Sequence, residues 1–133
     1  MSFLAFVEIA IYLVKFMTLT QEPQVVLFKP QGSIDLQGGL ALTEQMTQAG
    51  SQPHQLWVLD LAEVDFMDSS GLVSLVKGLT SARQLGCRLV LCNVQTPVRL
   101  ILELTQLDSV FEIFDTYEEI LTLVNDNSFA LVS

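Results

Sequence analysis

The chain has 133 residues, half of them hydrophobic; that is the material of one domain with a single core, and it excludes an intrinsically disordered chain. Fifteen acidic residues stand against six basic ones, a formal net charge of −9. Lys29, Lys77, Arg83, Arg88 and Arg99 are scattered, so the basic stripe of a nucleic-acid binder is missing, whereas an acidic surface suits encounters with basic faces of other proteins.

The first element is a run from Phe3 to Met17, apolar except for Glu8 and Lys15. A membrane-crossing helix needs about 20 apolar residues, and a secretory signal needs a basic start and a small-residue cleavage site. The run is therefore read as a peripheral extra strand or helix, or as an upstream extension, residues 1–16, with Met17 opening the domain. Exposed, it would be a sticky patch suited to a membrane surface or a dimer contact; membrane contact through residues 3–17 is not the favoured reading.

Gln24–Lys29 (QVVLFK) reads as a buried strand that Pro30 ends or edges. Gly32-Ser33-Ile34-Asp35 continues toward a loop. Gly38-Gly39 precedes a helix carrying Leu40, Met46 and Ala49, with Leu42 on its opposite edge, and Gly50 and Pro53 terminate it. Leu56–Leu61 (LWVLDL) is a second strand, apolar enough for burial on both faces. Ala62–Asp68 reads as an acidic loop. A helix follows over Ser70–Leu85, with Leu72, Leu75, Val76, Leu79 and Ala82 recurring at three and four, and Gly86 stops it. Arg88–Asn93 is a strand. Thr96-Pro97 is an N-cap followed by proline at the first helical position. Phe111–Phe114 is a short strand, and Asp115-Thr116-Tyr117-Glu118 is a capping box that opens a last helix to about Val124. Residues 125–133 form a tail without assignment.

Strand and helix thus alternate from 24 to 124 with short connections. The expected fold is α/β, with helices packed mainly on one face of a central sheet of four to five strands. Antiparallel pairing of the N-terminal strands would make that sheet mixed.

The chemistry gathers in Val64-Asp65-Phe66-Met67-Asp68-Ser69-Ser70-Gly71-Leu72, between a buried strand and an amphipathic helix. A helix start has backbone N–H groups without intrahelical partners and a partial positive charge, which suits an anion. Asp68 can cap the helix, and Gly71 leaves room for close approach of another backbone. Ser69 sits on a turn expected to face solvent. A phosphate there would add about −1.5 to −2 charges without unfolding the domain. Taken alone, however, Asp-Ser-Ser-Gly reads as an ordinary helix start.

From Leu56 on, the run WVLDLAEVDFMDSSGLVSLVKGLTSARQLGCRLVLCNV resembles the STAS domain of bacterial anti-sigma factor antagonists. The matching motifs are Phe66-Met67-Asp68-Ser69-Ser70-Gly71-Leu72, the downstream Gly86-Cys87-Arg88-Leu89-Val90-Leu91, and the upstream Gly32-Ser33-Ile34-Asp35, over roughly residues 17 to 124. The resemblance implies a STAS-type layer fold and a site in which Ser69 is the phosphorylated residue. It implies that Asp68 takes part in partner and kinase recognition and that Asp35 lies on the same edge, so the partner-binding set is Asp35, Asp68, Ser69, Ser70 and Gly71. It further implies that the unphosphorylated form binds an anti-sigma factor, itself a serine kinase of the GHKL type, and so frees a sigma factor, while a PP2C-type phosphatase reverses the modification. The chain departs from the family pattern at Ser33, where Glu or Arg is common, and at Gln106, where a glycine is common.

Other features carry less. Asp60, Glu63, Asp65 and Asp68 lack the spacing of a calcium loop and read as a solvated loop. Cys87 and Cys92, five apart, point to opposite faces of a strand and fit a reduced, cytoplasmic protein rather than a disulfide. With His54 they make no metal spacing. Trp57 is expected in the core. No phosphate loop, no nucleophile–base–orienter set and no cofactor motif is present, so the expectation is a binding module and not an enzyme. The alternative reading is an unphosphorylated scaffold or accessory subunit of a membrane transport complex.

Overall fold

Every residue of Leu56-Trp57-Val58-Leu59-Asp60 is buried, and that fixes the architecture: a strand with apolar cover on both faces must run through the middle of a layered molecule. The computed structural model describes residues 2–20, 24–49 and 55–126. In chain order these form α1 (Phe3–Thr20), β1 (Val25–Phe28), β2 (Gly32–Ile34), α2 (Leu36–Gln48), β3 (Leu56–Asp60), β4 (Val64–Met67), α3 (Ser69–Gln84), β5 (Arg88–Cys92) and α4 (Thr96–Leu104). A short 3₁₀ turn (Leu107–Ser109), β6 (Glu112–Phe114) and α5 (Tyr117–Asn125) follow. The main sheet has the order β1-β3-β5-β6, and β2 and β4 form a separate two-stranded ladder.

Alternation along β3 divides the core in two. Trp57 and Leu59 point into the larger cluster, with Phe28, Leu42, Met46, Leu75, Leu79 and Ala82 beneath α2 and α3. Leu56 and Val58 point the other way, onto Ile120 and Val124 of α5. Burial of each such side chain stabilises the fold by about 1.5–3 kcal/mol relative to exposure. Trp57, 1% exposed, meets Phe28 edge-on with ring centroids 5.6 Å apart. Its Nε1–H donates to Gln55 Oε1 at 3.0 Å, so the indole nitrogen is satisfied in the core.

The α/β fold and the dominant helix-covered face are as expected, but the sheet is not mixed. All four ladders among the described residues are parallel. The reason lies between β1 and β2. Pro30 has no N–H to extend a ladder, and Gly32, at φ 80°, turns the chain so that β2 leaves the main sheet. Its Gly32 N–H then donates to the Glu63 carbonyl at 2.8 Å, which starts the β2–β4 ladder. A hairpin between the N-terminal strands is thereby replaced by two crossovers.

Four further expectations shift. The acidic loop 62–68 contains β4, whose ends Val64 and Met67 are buried while Asp65 and Phe66 are exposed. The helix expected after Gly38-Gly39 begins at Leu36, and its inward positions are Gly39, Leu42 and Met46, so Leu42 is core and Leu40 faces solvent. The last capping box is displaced by one residue. Thr116 Oγ1 accepts from the Glu119 N–H at 3.1 Å, and Glu119 Oε2 accepts from the Asp115 N–H at 3.2 Å. Likewise Gln95, not Thr96, is the N-cap residue of α4, with the proline just inside. Gln106, where the family pattern favours glycine, has φ 60°, the left-handed conformation that explains that preference.

Candidate partner-binding site at two helix starts

The β2–β4 ladder sets Ile34 opposite Met67, both buried. The next residue on each strand is therefore an aspartate on the adjoining rung, and each aspartate caps a helix. Asp35 Oδ1 accepts from the Gly38 N–H at 2.9 Å; Asp68 Oδ1 accepts from the Gly71 N–H at 3.0 Å. Each satisfies one orphan donor of its helix and places negative charge at the positive end of the macrodipole. The two helices then run side by side from one edge of the molecule.

Gly71 locks the two units together. A Cβ there would stand 2.0 Å from the Ile34 carbonyl oxygen and 2.8 Å from Met67 Cγ, closer than any side chain tolerates. A second close approach lies a turn further in: a Cβ on Gly39 would stand 2.2 Å from Ser74 Oγ, whose hydroxyl donates to the Ser70 carbonyl at 3.1 Å. Both glycines are thus consumed by packing.

Ser69 is different. It is the first residue of α3 and is exposed, and among the described residues its hydroxyl makes no hydrogen bond. Asp68 and Ser70 beside it are half-buried. The structure thus brings together Asp35, Asp68, Ser69, Ser70 and Gly71 at one edge; of the five, Ser69 is exposed, Asp35, Asp68 and Ser70 are half-buried, and Gly71 is buried. No basic residue lies in the first turn of α3. Lys29 is engaged with Glu63 at 4.0 Å, and Lys77 lies two turns along. A phosphate on Ser69 would sit at a favourable helix start yet beside carboxylates, with its charge left open to a partner.

Sequence reasoning missed the apolar rim of this edge. Leu36 and Leu40 on α2, each 62% exposed, Val73 on α3 at 52% and Phe66 on β4 at 51% are large side chains in water. Val73 is one turn on from Ser69, and Leu40 one turn on from Leu36, so each pair shares a helix face. Phe66 is in register with the exposed Ser33 on the outward side of the ladder. Their signal was the helical phase: once Asp35 is recognised as a cap, Leu36 and Leu40 fall outside the buried stripe.

Asp60 and the two cysteines belong to the buried frame rather than to this edge. Asp60 is buried and accepts from the Ala62 N–H at 3.0 Å and from Asn93 Nδ2 at 3.1 Å. Cys87 and Cys92 are buried thiols not joined in a disulfide, on opposite faces of the sheet. Burial pushes the Cys87 thiol up, against a hydrogen bond from Gln55. Burial, with Asp60 and Glu118 nearby, pushes the Cys92 thiol up to about 12. Neither is a thiolate at neutral pH. Among the described residues no three His, Cys, Asp or Glu groups gather to hold a metal ion. His54 lies outside the described residues. A cavity of about 310 Å³ between α2 and α3, floored by Met46, Trp57 and Leu85, lies along the helices away from their capped starts.

A parallel main sheet, a separate two-stranded ladder and two aspartate-capped helix starts on adjoining rungs define a distinct class of layered α/β domain. The chain belongs to the STAS domain family, whose model matches residues 16–120. It is similar to an anti-sigma factor antagonist from Mycobacterium paratuberculosis, at 26% identity and a TM-score of 0.63, over 80% of this chain and 90% of that one. It is also similar to the anti-sigma factor antagonist SpoIIAA in its unphosphorylated form (21% identity, TM-score 0.65, 77% of this chain and 90% of that one). The STAS domain of a SulP transporter from Vibrio cholerae matches as well, at 16% identity and a TM-score of 0.67, over 93% of this chain and 98% of that one.

Proposed function

We propose that this STAS domain is an anti-sigma factor antagonist: unphosphorylated, it binds an anti-sigma factor that is also a serine kinase of the GHKL type, and phosphorylation of Ser69 by that kinase switches it off. A PP2C-type phosphatase restores the binding form. The chain works in the cytoplasm as a binding module and not as an enzyme. The observation that carries this reading is Ser69 itself: an exposed hydroxyl that makes no hydrogen bond among the described residues, at a helix start whose cap and close packing are supplied by Asp68 and Gly71. Among the described residues no group bonds that hydroxyl, so a phosphate can be added and removed there without disturbing the described core. The proposed contact face is Asp35, Asp68, Ser69 and Ser70 with the rim of Leu36, Leu40, Phe66 and Val73, and Gly71, buried beneath it, holds the face in place. Added negative charge there weakens docking by repulsion and by desolvation of the apolar contact.

The test is to copurify the full chain from its native cells, map phosphate on the peptide from Met67 to Lys77, and measure binding to the copurified kinase. Ser69→Ala is expected to bind and to resist phosphorylation, and Ser69→Asp to bind at least about tenfold more weakly. Phosphate at another residue, or equal binding by both variants, rejects the reading. The second reading, an unphosphorylated accessory subunit of a membrane transport complex, is favoured by the exposed apolar α1. It requires an unmodified Ser69 under all conditions and copurification with a transporter.

A further inference from the structure

We draw no further inference here: the strongest candidate, the exposed apolar stretch of α1 from Phe3 to Leu13, carries nothing because nothing in the structure shows what covers it.

Discussion

The starts of α2 and α3 are built alike and end differently. In both, a strand delivers an aspartate whose carboxylate accepts from the N–H three residues on, and that residue is a glycine: Asp35 with Gly38, Asp68 with Gly71. Both glycines press on a carbonyl of β2, at 2.4 Å from Ser33 O for a Cβ on Gly38 and 2.0 Å from Ile34 O for one on Gly71. Between cap and glycine, however, α2 carries Leu36-Gln37 and α3 carries Ser69-Ser70. The shared parts are what any closely packed helix start needs, so they say nothing about function. What is left over, two hydroxyls in one copy and an exposed leucine in the other, is where function has to be sought.

The largest test of this comparison is Gly71→Ala. The added carbon meets a carbonyl on the other unit's strand, which cannot turn aside, so the ladder or the helix must move. A loss of about 3 kcal/mol in urea unfolding is expected. Gly38→Ala meets a carbonyl of its own preceding strand, which a local adjustment of one turn can relieve, and about 2 kcal/mol is expected. If the two losses are equal, Gly71 has no special part in joining the units.

The caps come next. Asp35→Ala and Asp68→Ala each remove one side-chain hydrogen bond to a helix start, and each is expected to cost about 1 kcal/mol. Their likeness in stability sharpens the contrast in function. On the proposed reading Asp68→Ala alters phosphorylation of Ser69 more than Asp35→Ala does, since Asp68 is adjacent in the chain. Matched effects on phosphorylation as well as on stability would make the two starts interchangeable and remove the basis for distinguishing them.

Much of this arrangement was legible from residue order, and its gaps have physical causes. Alternation of strand and helix, the buried run Leu56–Asp60 and the motif Asp68-Ser69-Ser70-Gly71 are strong local signals, and they led to the fold. β4 reads as loop in the sequence because four residues with two outward positions carry almost no periodicity, and Asp65 makes the stretch look solvated. The antiparallel expectation for β1 and β2 failed because pairing partners are a tertiary choice, settled here by Pro30 and by Gly32 at φ 80°. Asp35 stands out as a motif residue but not as a cap, and placing the helix start after Gly39, four residues late, shifts its apolar phase. Leu36 and Leu40, half of the apolar rim, were lost for that reason.

The smallest expected effect is the most discriminating. Ser69→Ala removes a hydroxyl that is exposed and makes no hydrogen bond within the described chain, at a position where alanine is a better helix former than serine. Its effect on stability should lie within about 0.5 kcal/mol in either direction. The half-buried neighbour Ser70 offers the control, since its carbonyl accepts from Ser74 whatever its own side chain, and Ser70→Ala should be equally mild. Two substitutions silent in urea unfolding, of which only Ser69→Ala abolishes phosphate incorporation, would show that the fold leaves this hydroxyl for a partner to use. A loss at Ser69 comparable to that of a cap would mean instead that the hydroxyl holds the helix start, and α3 would then differ from α2 only in the chemistry of its capping.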